Sequence, residues 1–267
     1  MQHFHKVFTD LTLYTLLFLG LAAFAAGLID AIAGGGGLIQ LPALLIGLSK
    51  SETVVILGTN KVPSIFGTSA SALMYRRNIK TDPKLLLAMA MPAFIGSMGG
   101  ASLASHIPTE VLKPLVVTLL IAVLVYTWKR PQLGQIESLR HSESLRLKIA
   151  ALAALVIGFY DGLIGPGTGS FLVLTLVAVL GYAFLSASAI AKVVNVATNL
   201  GAIIIFGLNG EIIWKVGLTL AIANIAGGLI GAQIALRGGS NLVRKVFMGV
   251  TLALIVKVAI DTFAAFN

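Results

Sequence analysis

The sequence alternates between long apolar segments and short polar stretches, and this pattern constrains the fold more than any other feature. A helix needs about 20 apolar residues, with a range of about 17–25, to cross the hydrocarbon core of a bilayer. Each half of the chain has four long segments and a short one, at residues 11–33, 38–48 (short), 54–75, 85–105 and 112–128, then at 149–164, 171–185 (short), 189–206, 214–236 and 242–263. The pattern predicts an all-α integral membrane protein that crosses the plasma membrane (the inner membrane in a Gram-negative bacterium) several times.

Composition excludes the main alternative classes. Of the 267 residues, 57% are hydrophobic and only 11% are charged, whereas soluble domains carry about 25% charged residues. The net charge of +9 does not indicate a nucleic-acid partner, because the basic residues stand in short clusters between apolar segments, as in cytoplasmic loops. With no cysteine and four scattered histidines, neither a metal site nor a cofactor is expected.

The chain aligns with itself at an offset of 131 residues. Asp30 aligns with Asp161, Lys61 with Lys192 and Asn78 with Asn209, and several glycines align in the same register. Chance matches between leucines do not bring three pairs of polar residues into one register. We therefore predict two tandem homologous repeats at 1–130 and 147–267, joined by a polar linker at 131–146. Each repeat has about four transmembrane helices plus a short broken-helix segment.

Two topologies fit the segments. If the short segments do not cross and the N-terminus is cytoplasmic, eight spans give parallel halves but leave Arg237, Arg244 and Lys245 outside. If the short segments do cross, the halves are inverted, and these three residues join the other basic clusters inside. Segment length favours the first arrangement, and the charge distribution favours the second.

Glycine-rich motifs interrupt the apolar pattern at matching positions of the two halves. Asp30 is followed by Gly34, Gly35, Gly36 and Gly37, and Asp161 is followed by Gly165, Pro166, Gly167, Thr168 and Gly169. Each glycine costs a helix about 1 kcal/mol relative to alanine, so neither motif favours a continuous helix. A tight turn between packed helices is one interpretation. Paired breaks of this kind also point to a substrate site, because unwound backbone and helix ends can hold an ion.

Two lysines lie inside predicted membrane helices, where a charge costs at least about 2.5–3.5 kcal/mol on insertion scales. Polar residues continue the same helix faces, as Lys61, Ser64 and Thr68 in the first half and Lys192, Asn195 and Asn199 in the second. Snorkelling to the interface and a structural ion pair with Asp30 or Asp161 are the alternatives. With Asn60, these donors favour a small anion as substrate, and the two aspartates are predicted to serve as coupling or counter-ion groups.

Two further features indicate packing. Gly96 with Gly100, and Gly227 with Gly231, form GxxxG motifs on which another helix can pack closely. Asn224, one turn earlier than Gly228, is expected to form an interhelical hydrogen bond.

The glycine-rich motif after the first helix, the Gly58-Thr59-Asn60-Lys61 sequence of the next, and the repeat of both resemble the sulfite exporter TauE/SafE family of membrane transporters. The resemblance extends from about Gly27 to Phe263. It implies an inner-membrane permease or exporter of a small anion, because members of this family are proposed to move sulfite, sulfonates and related anions. Ala191 replaces Asn60 in the second copy, and Pro166 and Thr168 replace two glycines, so unequal contributions of the halves are expected.

We therefore expect secondary transport of a small anion, such as sulfite or an organosulfonate, between Lys61, Lys192 and the two broken helices. A passive anion channel of the same architecture is the alternative. An enzyme is not expected, since no catalytic residues are evident: His106 is the only histidine near a predicted helix end, and it has no counterpart in the other half. The expected surroundings are the lipid bilayer.

Overall fold

The computed structural model describes residues 12–104 and 134–266, and all regular secondary structure in these residues is helical. We number the helices α1 (Leu13–Ala33), α2 (Gly37–Gly47), α3 (Thr53–Asn78), α4 (Pro83–Leu103), α5 (Glu143–Leu163), α6 (Thr168–Leu174), α7 (Phe184–Leu208) and α8 (Trp214–Phe266). A π-helical turn, Thr175–Val179, extends α6, and non-helical backbone at Gly239 interrupts α8. The predicted segment at 112–128 lies outside the described residues.

Within residues 12–104 and 134–266, four helical segments are long and apolar enough to cross a membrane, namely Leu13–Ala33, Pro83–Leu103, Phe184–Leu208 and Trp214–Val250. Helices α3 and α5 are of similar length, with 26 and 21 residues, but are less apolar. The 11 residues of α2 extend for only about 16 Å, roughly half the thickness of a hydrocarbon core. The predicted all-α membrane class is confirmed for the described part of the chain.

The end of the predicted linker is helical. Helix α5 begins at Glu143, six residues before the apolar segment starts at position 149, so residues 143–146 belong to a helix rather than to the linker. The preceding residues bind the loop between α6 and α7, where the amides of Ser138 and Arg140 donate to the carbonyls of Gly181 (2.8 Å) and Leu180 (3.0 Å). The polar stretch between the halves is thus partly structured.

Helices α1 and α2 form a hairpin that reverses the chain. Gly34, between them, has a φ of 81°, a left-handed conformation that glycine adopts without strain. The start of α2 lies beside Asp30, and its end at Gly47 lies beside Leu19 near the beginning of α1. Helix α3 therefore starts from the same end of the bundle as α1, although α2 is short.

The close contacts between helices establish their directions. Helix α8 runs parallel to α3, since Val62 faces Gly217 and Gly67 faces Gly228. It also runs parallel to α1, because Gly227 contacts Phe24 and Gly231 contacts Leu28. Helices α1, α3 and the first part of α8 consequently share one direction.

Helices α4 and α5 run in the opposite direction. The connection at 79–82 is short, so α4 returns antiparallel to α3. Ala93 of α4 faces Gly158 of α5, and Ser97 faces Gly162, which makes α4 and α5 parallel. Helix α5 is therefore antiparallel to α1. These directions disagree with the eight-span alternative of parallel halves, because α2 reverses the chain despite its length.

Basic residues are concentrated at one end of the bundle. This end, where α3 finishes and α4 and α5 begin, carries Arg76, Arg77, Lys80, Lys84, Arg140, Arg146, Lys148, Arg237, Arg244 and Lys245. At the opposite end the described residues include Lys50 and Lys215. We refer to the first as the basic end.

The GxxxG motifs allow helices to approach closely, as predicted. A β-carbon on Gly96 or Gly100 of α4 would overlap the carbonyl oxygens of Leu155 or Phe159 in α5. Gly227 and Gly231 of α8 are packed in the same way against α1. The two glycine-lined contacts join helices from opposite halves of the sequence.

We expect Gly100→Ala to reduce stability by about 1–3 kcal/mol, because its methyl group would force α4 away from α5. Thermal unfolding of the purified protein in detergent would measure the effect. Gly99→Ala is the matched control, since its β-carbon would lie 3.6 Å from the Phe159 ring, an ordinary contact distance. Equal melting temperatures for the two variants would contradict the proposed role of Gly100 in packing.

Candidate functional site

The two broken helices meet in the middle of the bundle. The amide of Ser170 donates to the carbonyl of Gly34 at 3.0 Å, and a β-carbon on Gly34 would lie only 2.7 Å from that same amide nitrogen. Ser170 also donates through its hydroxyl to the carbonyl of Ala33, at 3.1 Å. The glycine-rich break of the first half thus packs directly against that of the second.

Lys61 of α3 binds the end of α5. Its ammonium nitrogen lies 2.9 Å from Oδ2 of Asp161 and donates a hydrogen bond of 2.6 Å to the backbone carbonyl of the same residue. Both side chains are almost completely buried. Because the carbonyls in the last turn of a helix lack intrahelical donors, the lysine supplies both a counter-charge and a cap.

Lys192 of α7 makes the equivalent contact with the end of α1. Its ammonium nitrogen lies 2.8 Å from Oδ2 of Asp30 and also hydrogen-bonds the Asp30 carbonyl. The Lys192 side chain is fully buried, whereas that of Asp30 is 16% exposed. Neither lysine snorkels to an interface. Each forms the ion pair considered as an alternative, and its partner comes from the opposite half.

The two oxygens of the Asp161 carboxylate have different partners. Its Oδ1 accepts a hydrogen bond of 2.7 Å from Thr168, which also donates to the Gly165 carbonyl. Oδ2 lies within ion-pair distance of Lys61 but accepts no well-aligned hydrogen bond from the described residues. We regard the ion pair as present, since Coulomb attraction depends on distance more than on the donor angle.

A small cavity lies between the hairpins. It provides about 30 Å³ for the centres of water-sized molecules, and about 10–15 Å³ is needed for one water. Its walls are formed by Ala26, Asp30, Gly34, Gly36, Gly37, Gln40, Asn60, Lys61, Ser64, Thr68, Asp161, Gly165, Gly167, Thr168, Gly169, Asn195, Asn199 and Asn224. The cavity accommodates two or three waters or one small polar group.

Most residues predicted for the substrate site line this one cavity. The polar faces of α3 and α7 both reach it, through Lys61, Ser64 and Thr68 on one side and Asn195 and Asn199 on the other. The exceptions are Lys192, which is enclosed beside Asp30, and Gly35, whose β-position faces Val250. The structure therefore separates the two lysines, since only Lys61 reaches the cavity.

Gln40 was not among the predicted site residues. Its side-chain nitrogen donates to Oδ1 of Asn60 at 2.9 Å and to the carbonyl of Asn60 at 3.1 Å. Asn224 donates to the Gln40 oxygen at 2.6 Å, which confirms the expected interhelical hydrogen bond. The signal for Gln40 was available, because it is the single polar side chain of a short apolar helix.

On the opposite wall, α7 orients its own amides. Thr198 donates to Oδ1 of Asn195 at 3.1 Å, and Asn199 donates to the Asn195 carbonyl at 2.8 Å. The cavity therefore combines one ammonium group with amide and hydroxyl groups from both halves. Such a set of donors can bind a small anion or a neutral polar molecule.

Comparison with known proteins gives one family. The family model described as sulfite exporter TauE/SafE matches residues 19–258. The chain is 38% identical over 253 residues to the probable membrane transporter protein ORF9 of Sinorhizobium sp, covering 94% of this chain and 95% of that one. It is 34% identical over 264 residues to the probable membrane transporter protein YfcA of Escherichia coli (strain K12), covering 96% and 95%. No solved structure gives a significant match.

We expect Lys192→Met to destabilise the protein by about 3–5 kcal/mol, because it leaves the carboxylate of Asp30 without its counter-charge. Thermal unfolding in detergent measures this change, and the double variant Lys192→Met/Asp30→Asn should recover part of the loss. Lys84→Met is the control, since the pair of Lys84 with Glu143 is exposed and contributes about 0–1 kcal/mol. A Lys192→Met variant as stable as Lys84→Met would show that the buried pair does not hold the halves together.

Proposed function

The chain belongs to the sulfite exporter TauE/SafE family, and on that premise we propose that it is a secondary transporter of a small anion. It is a multi-pass integral protein of the plasma membrane. The observation that carries the proposal is the cavity at the meeting point of the broken helices, where the ammonium group of Lys61 stands among amide and hydroxyl groups. We propose a sulfur-containing anion, such as sulfite or an organosulfonate, as the substrate.

The proposed site can bind an anion once Lys61 is released from Asp161. Lys61 lines the cavity together with the carboxylates of Asp30 and Asp161. The remaining lining groups of this proposal are Asn60, Ser64, Thr68, Asn195, Asn199 and the glycines of both breaks other than Gly35. Lys192 does not line the cavity. It pairs with Asp30 and thereby fixes the position of the end of α1. In a site with little water, charge-assisted hydrogen bonds are about twice as strong as neutral ones, so a lysine with a few amides is sufficient for a small anion.

Asp161 serves in this proposal as the counter-ion that the substrate displaces. Two lysines and two aspartates make the empty site electrically neutral. Entry of an anion would leave an uncompensated negative charge unless a proton or another cation accompanied it. Asp161 is the proposed coupling group, because it pairs with Lys61 and lines the cavity, and neutralising its charge would release Lys61 to bind the substrate.

We propose that transport proceeds by alternating access between two inverted repeats, 1–130 and 147–267, joined by the segment 131–146. Three observations support this. The starts of α2, α3 and α4 precede those of α6, α7 and α8 by 131 residues each, as in the sequence alignment. Helices α1 and α5 run in opposite directions. The hairpins α1–α2 and α5–α6 approach the cavity from opposite ends of the bundle. Movement of one hairpin away from the cavity would therefore open the cavity to one side of the membrane.

A passive channel of the same architecture is the weaker candidate. A channel needs a continuous path, whereas here the tips of the hairpins touch through Gly34 and Gly169, and two ion pairs join the halves. An ion could pass only after these contacts separated. A carrier separates such contacts on one side of the site at a time, and this is the cycle that we propose.

The basic end is proposed to face the cytoplasm, in keeping with the excess of lysine and arginine in cytoplasmic loops. The linker and the loop between α3 and α4 would then be cytoplasmic. The loop between α2 and α3 would lie on the other side.

The first test measures uptake of radiolabelled sulfite into proteoliposomes. Lys61→Met should reduce uptake roughly tenfold to a hundredfold, the effect of losing a hydrogen bond from a charged group. Asp161→Asn should keep or increase sulfite binding, because Lys61 is then free of its counter-ion. Sulfate, thiosulfate, sulfoacetate and small carboxylates, added as competitors, would rank the possible substrates.

Lys84→Met, which removes a lysine from an exposed pair, serves as the control and should transport normally. Size-exclusion profiles would establish that the variants are folded. Unimpaired uptake by Lys61→Met would refute the site. Uptake that does not saturate, and that shows no exchange against internal sulfite, would favour the channel.

Sidedness can be tested by cysteine labelling, because the chain has no cysteine of its own. Ser144→Cys at the basic end and Ser49→Cys between α2 and α3 are both at exposed positions. In intact cells a membrane-impermeant maleimide should label the variant at position 49 and leave that at 144 unlabelled until the membrane is opened. Labelling of both from the same side would contradict the helix directions.

A further inference from the structure

We propose that Gln40 and Asn224 are specificity-determining residues that act by orienting the side chain of Asn60. The three amides form a relay in which each fixes the direction of the next, so that the amide nitrogen of Asn60 faces the substrate. This inference rests on the proposed function, since it assumes that the cavity binds an anion. It adds two residues to the site and gives them a role.

The hydrogen bonds of the relay run in one direction. Asn224 donates through Nδ2 to Oε1 of Gln40, at 2.6 Å. Gln40 then donates through Nε2 to Oδ1 of Asn60, at 2.9 Å, and to the Asn60 carbonyl, at 3.1 Å. A side-chain amide has one oxygen acceptor and one nitrogen donor, so fixing one end also fixes the other.

The nitrogen of Asn60 is the free end of this relay. Both oxygens of Asn60 accept from Gln40, and the described residues provide no partner for Nδ2. Nδ2 is nevertheless not fully buried. Since Asn60 is only 4% exposed and lines the cavity, Nδ2 faces the cavity. It stands there beside Lys61 as a second donor.

The far end of the relay is anchored by packing. The backbones of Gly27 in α1 and Gly67 in α3 lie against Asn224, and a β-carbon on Gly27 would come within 3.0 Å of its Oδ1. Asn224 and Gln40 are also buried, with 4% and 1% exposure. If the Asn60 amide rotated, its oxygen would face the anion and its hydrogen bond with Gln40 would be lost. The relay therefore favours anions over cations.

The relay is confined to one side of the cavity. At an offset of 131 residues, Gln40, Asn60 and Asn224 correspond to Phe171, Ala191 and Ala93, none of which has a polar side chain. The wall formed by α2, α3 and α8 should therefore decide which anion is accepted.

A double-mutant cycle tests the relay. The affinity of the purified, full-length protein for radiolabelled sulfite would be measured in detergent, with sulfoacetate as a second probe. Asn60→Ala should weaken binding about tenfold to a hundredfold, as expected for the loss of a hydrogen bond to a charged group. Gln40→Met should have a similar effect. The double variant should bind no more weakly than Asn60→Ala, because Gln40 acts only through Asn60.

Ser97→Ala is the matched control. It removes a buried hydrogen bond of 2.6 Å to the Thr198 carbonyl, but Ser97 does not line the cavity. This variant should lose thermal stability without losing affinity. Normal sulfite affinity in Gln40→Met, or additive losses in the double variant, would overturn the relay.

A separate measurement distinguishes failure of the relay from failure of the proposed function. If the wild-type protein binds neither probe, the substrate assignment is wrong, and the relay is then judged by melting temperature alone. The losses of melting temperature caused by Asn224→Ala and Asn60→Ala should be non-additive when Gln40 is present. In the Gln40→Met background the two losses should be additive. Additivity in both backgrounds would refute the relay without reference to any substrate.

Discussion

The arrangement of this protein depends on two lysine–aspartate pairs that cross between its halves. Lys61 and Lys192 each bind an aspartate at the end of a broken helix that belongs to the other half, through its carboxylate and its backbone carbonyl. A helix that stops inside a membrane leaves carbonyl groups without donors and a partial negative charge at its end. Each lysine donates to a carbonyl in this last turn and supplies a positive charge, and the helix end in turn makes burial of the lysine tolerable. Neither half is complete without the other.

The two pairs are nevertheless unequal, and under the proposed function they have different roles. Lys192 is enclosed, whereas Lys61 reaches the cavity. The same bias is seen in the walls. The first half provides Gln40 and Asn60, whereas Phe171 and Ala191, at the corresponding positions of the second half, do not line the cavity. In the proposed cycle the Lys192–Asp30 pair can therefore stay intact while Lys61 exchanges Asp161 for a substrate. A symmetric pair of sites would have to release both ion pairs at once.

Much of this could be predicted from the sequence, for identifiable reasons. Helical spacing places Lys61, Ser64 and Thr68 on one face, and the cost of burying charge requires that this face meet protein or water. Spacing along one helix does not identify the residue opposite it. The sequence therefore left open which aspartate each lysine binds, and it did not separate Lys61 from Lys192. Gln40 was missed because its role depends on Asn60 and Asn224, which lie 20 and 184 residues away.

The relative direction of the two halves was also difficult to predict from local sequence features. Length alone suggested that α2 does not reverse the chain, since its 11 residues cannot cross a bilayer. Because of the glycine break, α2 does not need to cross the whole bilayer to reverse the chain. The break lets α1 stop within the bundle, so that a short helix and a loop suffice to return the chain to the end from which α1 began. The glycines that end the helix near Asp30 also create the helix end that Lys192 caps, and reversal of the chain and formation of the site therefore have one physical cause.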